Sequence, residues 1–295
     1  MQNTRAIPRR HFLQTGLLGS SALVAAVTFP ATVGAAVTKP ERDPFDGLKV
    51  GIASYSLRKF SLDQAIAMTM VAGVKYITLK DMHLPLKSTP AECQAARQKI
   101  EEAGLVLLGG GVIYMNNKED EIRGIFEYAK QAGMPTIVAS PDPAALDTVE
   151  KLAKEYAIRV AIHNHGPGDK RYPSPLDVLR MVQDRDVQLG ICMDVGHTVR
   201  LGEDPVAVIQ ACAGRLYDFH IKDVTQATAK GGPTECGQGV IDLVAVLKTL
   251  VGLKFPYHVA LEHEANGDAP LPGIIESFAY LRGVLAGLGA SVKRS

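Results

Sequence analysis

A chain of 295 residues, 46% apolar and 21% charged, has the length and apolar content to bury a large core as one big domain or two small ones. Its 32 basic and 31 acidic residues nearly cancel, and setting aside the three arginines of the first 35 residues leaves 29 basic against 31 acidic. That balance speaks against a nucleic acid or an anionic membrane surface as partner, and leaves a small molecule as the expected one.

The amino terminus reads as an export signal. Arg9 and Arg10 precede Phe12 and Leu13, the apolar run "LLGSSALVAAVTF" follows, small residues "VGAA" close it, and no acidic residue occurs before Glu41. Paired arginines before Phe-Leu resemble a twin-arginine signal. Residues 1–35 are therefore expected to be the signal, 36–46 a linker and 47–295 the folded domain. The mature protein is expected in the periplasm or otherwise exported, with no stable membrane association once the signal is removed and with homo-oligomerisation left open. The four cysteines, Cys93, Cys192, Cys212 and Cys236, lack metal-type spacing and read as buried thiols, with one disulfide an option in an oxidising compartment.

From Leu48 one pattern repeats: a short apolar run, a polar loop, then an amphipathic stretch closed by glycine. Strands are expected in "LKVGIASYS", "VKYITLK", "LVLLGGGVI", "PTIVAS", "IRVAIHN", "VQLGICMD", "RLYDFHIKD" and "YHVALEHE". The first helix opens at Ser61 and closes at Gly73. The second is marked by Thr89, Pro90 and Glu92, a capping box with proline at the first helical position, and ends at Gly104. The third ends at Gly133, and five more follow over 143–156, 174–183, 204–213, 240–251 and 271–288. Eight strands alternating with eight helices predict a single-domain (β/α)8 TIM barrel. An open doubly wound sheet would want a glycine-rich phosphate turn after its first strand, and "GIASYSLRKF" has none.

In such a barrel the active site lies at the carboxyl ends of the strands. The last four strand ends carry His163 and His165, then Asp194 and His197, then His220 and Lys222, then Glu262. Barrel closure gathers these ends around one centre, and a ring of His, Asp, His and Glu drawn from them matches the nitrogen and oxygen donors of one divalent ion, Mn, Zn, Co or Mg. Lys80 and His83, at the second strand end, are expected to bind substrate hydroxyls. Lys222 and Asp223 can form a local pair that orients His220. Gly237 and Gly239, before the seventh helix, stand where this fold often binds phosphate, although a tight turn there needs glycine anyway. Of His263 and Glu264, alternation turns at least one away from the centre.

The ordered set "GIASYSL", "YITLKDMHLPL", "IHNHG", "DVGHT", "DFHIKD", "GQGVIDLVAVLKTL" and "ALEHE" resembles the sugar phosphate isomerase/epimerase superfamily with the xylose isomerase-like TIM barrel, over about residues 48 to 285. The resemblance implies metal ligands at His163, Asp194, His220 and Glu262, and a substrate-binding histidine at His197. It also implies proton transfer by two metal-bound glutamates. Here the first of them is replaced by His163, so Glu262 is the one that remains, and His165, His197, Lys80 or Lys222 must supply any second acid–base group. The reading that follows is a metal-dependent isomerase or epimerase of a sugar or keto-sugar. The alternatives are an exported hydratase or lyase on a 3-keto-sugar or its enol, an endonuclease IV-like phosphodiesterase, and a sugar-binding barrel without catalysis.

Overall fold

The computed structural model describes residues 44–292. The paired arginines, the signal over 1–35 and most of the expected linker lie outside the described residues. Phe45, at the end of the expected linker, already packs into the hydrophobic core.

Eight parallel strands close into a barrel: β1 (Lys49–Ala53), β2 (Tyr76–Leu79), β3 (Val106–Met115), β4 (Thr136–Pro141), β5 (Arg159–His163), β6 (Leu189–Asp194), β7 (Leu216–Ile221) and β10 (His258–Leu261). The ring order is β1-β10-β7-β6-β5-β4-β3-β2. β8 (Asp223–Val224) and β9 (Pro233–Thr234) form a small antiparallel ribbon outside it. Around the barrel lie α1 (Leu62–Val71), α2 (Pro90–Glu102), α3 (Glu119–Ala132), α4 (Leu146–Tyr156), α5 (Pro175–Val182), α6 (Val195–Arg200), α7 (Pro205–Cys212), α8 (Leu243–Gly252) and α9 (Leu271–Val292). The expected (β/α)8 barrel is thus observed.

The helix starts follow from local chemistry. Ser61 with Gln64, Thr89 with Glu92, and Ser174 with Asp177 each form a capping box, and proline follows the cap at Pro90 and Pro175. Gly133 closes α3 at φ 72°, where an L side chain would be strained. Two layers of apolar side chains result. One lies between strands and helices, and a smaller one inside the barrel is built on Val112, Val138, Ala161, Cys192 and Tyr217. All four cysteines are buried and unpaired.

The structure departs from the sequence reading in two places that matter for the site. The first strand ends at Ala53, and Ser54–Leu57 turn into a 3-10 helix. A short extra helix, α6, begins directly after Asp194, because the Asp194 side chain accepts a hydrogen bond from the His197 amide at 2.8 Å and so caps it.

Candidate active site

Backbone staples fix the carboxyl rim of the barrel before any ligand is considered. Asn164 Oδ1 accepts from the Asp194 amide at 2.8 Å, tying the end of β5 to the end of β6. Ser56 Oγ donates to the Leu261 carbonyl and accepts from the His263 amide at 2.8 Å, tying the first βα turn to the end of β10. These bonds hold the side chains that follow in fixed register.

His163, Asp194, His220 and Glu262 converge as the strand ends require, and their donor atoms lie within 4.8 Å of one another. His163 Nε2 is 3.1 Å from His220 Nδ1 and 3.5 Å from Asp194 Oδ2, and His220 Nδ1 is 3.4 Å from Glu262 Oε2. Donors bonded to one ion at about 2.0–2.2 Å stand about 3–4.4 Å apart, so the cluster is of the right size for one. The donor set also fits. Asp194 spends Oδ1 on the cap of α6, and its buried Oδ2 points into the cluster, where the Lys222 ammonium stands beside it.

Lys222 is the counter-charge of this cluster. Its Nζ lies 2.9 Å from Asp194 Oδ2, 2.8 Å from Glu262 Oε2 and 2.5 Å from Glu264 Oε1. Burial alone would push the Asp194 and Glu262 carboxyls up, but the Lys222 ammonium holds both well below the ordinary carboxylate range. Three carboxylates against one ammonium leave two negative charges for a divalent ion to balance. Burial pulls His163 down to about 3, so its ring is neutral at working pH, as a ligand would need to be. Burial would also lower His220, yet Glu262 beside it raises it to about 9, so ligation through Nδ1 must displace a proton.

The expected Lys222–Asp223 pair does not form. Lys222 points into the barrel mouth, while Asp223 turns outward and takes the amides of Gly237 and Gly239, each at 3.0 Å, on Oδ2 and that of Ile241 on Oδ1. The glycine turn is therefore filled by the protein's own carboxylate, and a Cβ on Gly239 would collide with it. The phosphate-binding role considered for Gly237 and Gly239 falls for the same reason.

Above the cluster a cavity of about 270 Å³ is lined by Tyr55, Lys80, Tyr114, His165, His197 and Glu264 together with His163 and Glu262. His197 receives Arg200 Nη1 on Nδ1 at 3.2 Å, which leaves its other ring nitrogen as an N–H donor when the ring is neutral. His165 stacks on Tyr114 with centroids 5.9 Å apart, and its Nε2 is 3.3 Å from the Tyr114 hydroxyl. Lys80 reaches the cavity while paired with Asp81 at 2.7 Å.

His83 does not line the cavity. Its Nδ1 is 2.9 Å from Ser54 Oγ and its Nε2 is 3.2 Å from the Leu57 carbonyl, so both ring nitrogens are spent inside the fold, and its expected substrate contact is withdrawn. Of the last pair, His263 is the one turned away, buried beside Glu235, and Glu264 faces the cavity. Sequence reasoning missed Tyr55 and Tyr114. Tyr114 sits near the end of a strand that runs to Met115, beyond the Ile113 at which the expected strand stopped.

Residues 70–284 match the xylose isomerase-like TIM barrel family. The chain belongs to this family. Among curated relatives it is 23% identical over 150 residues to an inosose dehydratase of Clostridium beijerinckii, covering 46% of this chain and 48% of that one. It is 25% identical over 214 residues to the inosose dehydratase of Geobacillus thermodenitrificans, covering 66% and 70%. The chain thus spans about half the length of the first relative and more of the second. Among solved structures, an L-ribulose 3-epimerase superposes with a TM-score of 0.68 at 14% identity, over 83% of this chain and 97% of that one. A 3-keto-D-glucoside 4-epimerase from E. coli gives 0.67 at 15%, over 80% and 99%. These structural likenesses establish a fold shared with sugar epimerases.

One consequence of the cluster is testable without substrate. In Lys222→Met the two buried carboxylates lose their ammonium, and breaking a buried pair in this way costs about 3–5 kcal/mol. The variant is expected to melt well below the parent in chelator and to recover part of the loss when Mn2+ is added. Identical melting curves for variant and parent in chelator would show that Lys222 is not the counter-charge.

Proposed function

We propose that the chain is a metal-dependent carbon–oxygen lyase, or hydratase in the reverse direction, acting on an unphosphorylated keto-sugar. The observation that carries this reading is the asymmetry of the cavity. Glu262 stands at the end of β10. Tyr114 and His165 stand at the ends of β3 and β5, flanking β4, the strand four places from β10 around the eight-membered ring. One wall therefore offers a carboxylate and the other an imidazole–phenol pair. By the family resemblance His163 takes the place of a second glutamate, and Glu264 is tied to Lys222.

A divalent ion held by His163, Asp194, His220 and Glu262 would supply Lewis-acid polarisation of a carbonyl and its neighbouring hydroxyl. Glu262 takes the proton from the carbon beside the carbonyl, and the pair of electrons left behind forms the new carbon–carbon double bond. The β-carbon–oxygen bond breaks, and the leaving hydroxyl departs as water with the proton that Tyr114 and His165 hold between them. Lys80 and the N–H of His197 hold substrate hydroxyls, and the Tyr55 and Tyr114 rings offer apolar faces to the ring carbons. Lys222 moves no proton; it keeps Glu262 ionised. The names of the relatives as inosose dehydratases support elimination. The Asp223-filled glycine turn supports a substrate without phosphate.

The deciding experiment incubates a 3-keto-glucoside with metal-loaded protein in deuterated water. Release of an unsaturated ketone, seen by ultraviolet absorbance, is the expected result. An intact isomer or epimer carrying deuterium would replace this reading by the isomerase or epimerase that the sequence alone favoured.

Export by the twin-arginine route is part of the proposal, motivated by Arg9 and Arg10 before an uncharged apolar run, and it agrees with a substrate without phosphate, since sugar phosphates are mainly cytoplasmic. Replacing Arg9 and Arg10 together by lysine is expected to leave the protein in the cytoplasmic fraction. Undiminished export of the double variant would remove the assignment.

A further inference from the structure

The opposite end of the barrel carries a second cavity, of about 360 Å³, where Lys49, Thr136, Arg159, Asp218, Tyr257 and His258 stand among apolar side chains. Lys49, Thr136, Arg159 and His258 are the first residues of β1, β4, β5 and β10, so this is the amino end of the strands, away from the candidate active site. Such barrels fill their interior with layers of branched apolar side chains. Here two cations, an imidazole and a carboxylate stand in that place.

The protein leaves several of their polar atoms without a partner. His258 is 2% exposed, and neither ring nitrogen has a hydrogen-bond partner. Asp218, 1% exposed, leaves Oδ2 without one. Gly51 makes the room for the imidazole, since a Cβ there would come within 2.6 Å of His258 Nε2. Lys49 and Arg159 are half-buried, and among the described residues neither forms an ion pair. The Arg159 guanidinium lies 5.1 Å from the Tyr257 ring centre and 5.9 Å from that of Tyr217, which sets its position at the cavity wall.

We infer that this cavity is a binding site for a small hydroxylated carboxylate of the sugar-acid type. The two cations call for an anion, and a planar carboxylate matches the guanidinium fork. Asp218 Oδ2, and the acceptor nitrogen of a neutral His258, call instead for hydroxyl donors. A molecule with a carboxylate at one end and hydroxyls along its length answers both, whereas a bare inorganic oxyanion answers only the first. The site is separate from the proposed reaction and does not rest on it. It does share a wall with the catalytic cluster, because Asp218 Oδ1 is 3.8 Å from His220 Nε2.

D-Gluconate is the probe, titrated calorimetrically into the full protein, with inorganic phosphate and neutral glucitol as comparisons. Gluconate is expected to bind, phosphate to bind more weakly and glucitol not at all. Losing a charge-assisted hydrogen bond should weaken gluconate about 10–100-fold in Arg159→Gln and in Lys49→Met. Asp194→Asn, altered at the other end of the barrel, should bind it like the parent. In the wild-type protein, whose fold is not in question, the His258 ring resonances should shift on titration. Gluconate binding that survives both cation substitutions, phosphate binding as tight as gluconate, unmoved His258 resonances, or no binding at all would each overturn the assignment, the last meaning that water alone fills the cavity.

Discussion

Asp194→Asn is expected to bind a divalent ion at least about 10–100-fold more weakly than the parent and to lose turnover with it. Changing the outer partner of a ligand already costs that much, and Asp194 is placed as a ligand itself. Asparagine is the useful replacement because its side-chain oxygen can still accept the His197 amide and cap α6, as Asp194 Oδ1 does at 2.8 Å. The fold is thereby kept while the charge of Oδ2, aimed into the cluster at 3.5 Å from His163 Nε2, is removed. Metal content after dialysis against a graded chelator, together with circular dichroism, measures both halves of the expectation. A folded variant that holds metal as tightly as the parent would mean that the ring of His163, Asp194, His220 and Glu262 is not a metal centre.

Glu262→Gln is expected to abolish both exchange of the substrate carbon-bound proton with solvent and net turnover, by about 10²–10⁴-fold, the usual worth of a positioned base. His165→Gln should separate the two: exchange driven by Glu262 continues, while product formation falls. The contrast follows from their placement on facing walls, with Glu262 beside Lys222 at 2.8 Å and His165 against the Tyr114 hydroxyl at 3.3 Å. Both variants are compared at matched metal content, since Glu262 also belongs to the ligand ring. Continued proton exchange in Glu262→Gln would move the base elsewhere, with Glu264 the next carboxylate at the cavity.

The barrel was legible in the sequence because its signals are local and periodic. Capping residues such as Ser61 and Thr89, helix-closing glycines and short apolar runs each report on their own neighbourhood, and eight repeats of one unit leave few closures. The convergence of the candidate ligands was legible for a related reason. Once strands are placed, closure brings every carboxyl end to one rim, so His163, Asp194, His220 and Glu262 had to meet without any knowledge of their rotamers.

What the tertiary structure decided lies where side chains leave that periodicity. Lys222 and Asp223 are neighbours in sequence, yet one bonds Asp194, Glu262 and Glu264 inside the mouth, and the other fills the Gly237–Gly239 turn outside. His83 lies near the site in sequence terms, and the turn after β2 folds it back onto Ser54 and Leu57. Tyr114 joins His165 across 51 residues, and no local pattern announces that stack. The charged amino-end cavity escaped notice because Lys49, Arg159 and His258 each look ordinary at the start of a strand. Only barrel closure sets them facing one another. The sequence determines which element each residue occupies and which rim it serves. Which way a side chain turns beyond a strand end, and which distant partner satisfies it, depends on loop backbones and inter-strand register, both set by the whole packed barrel.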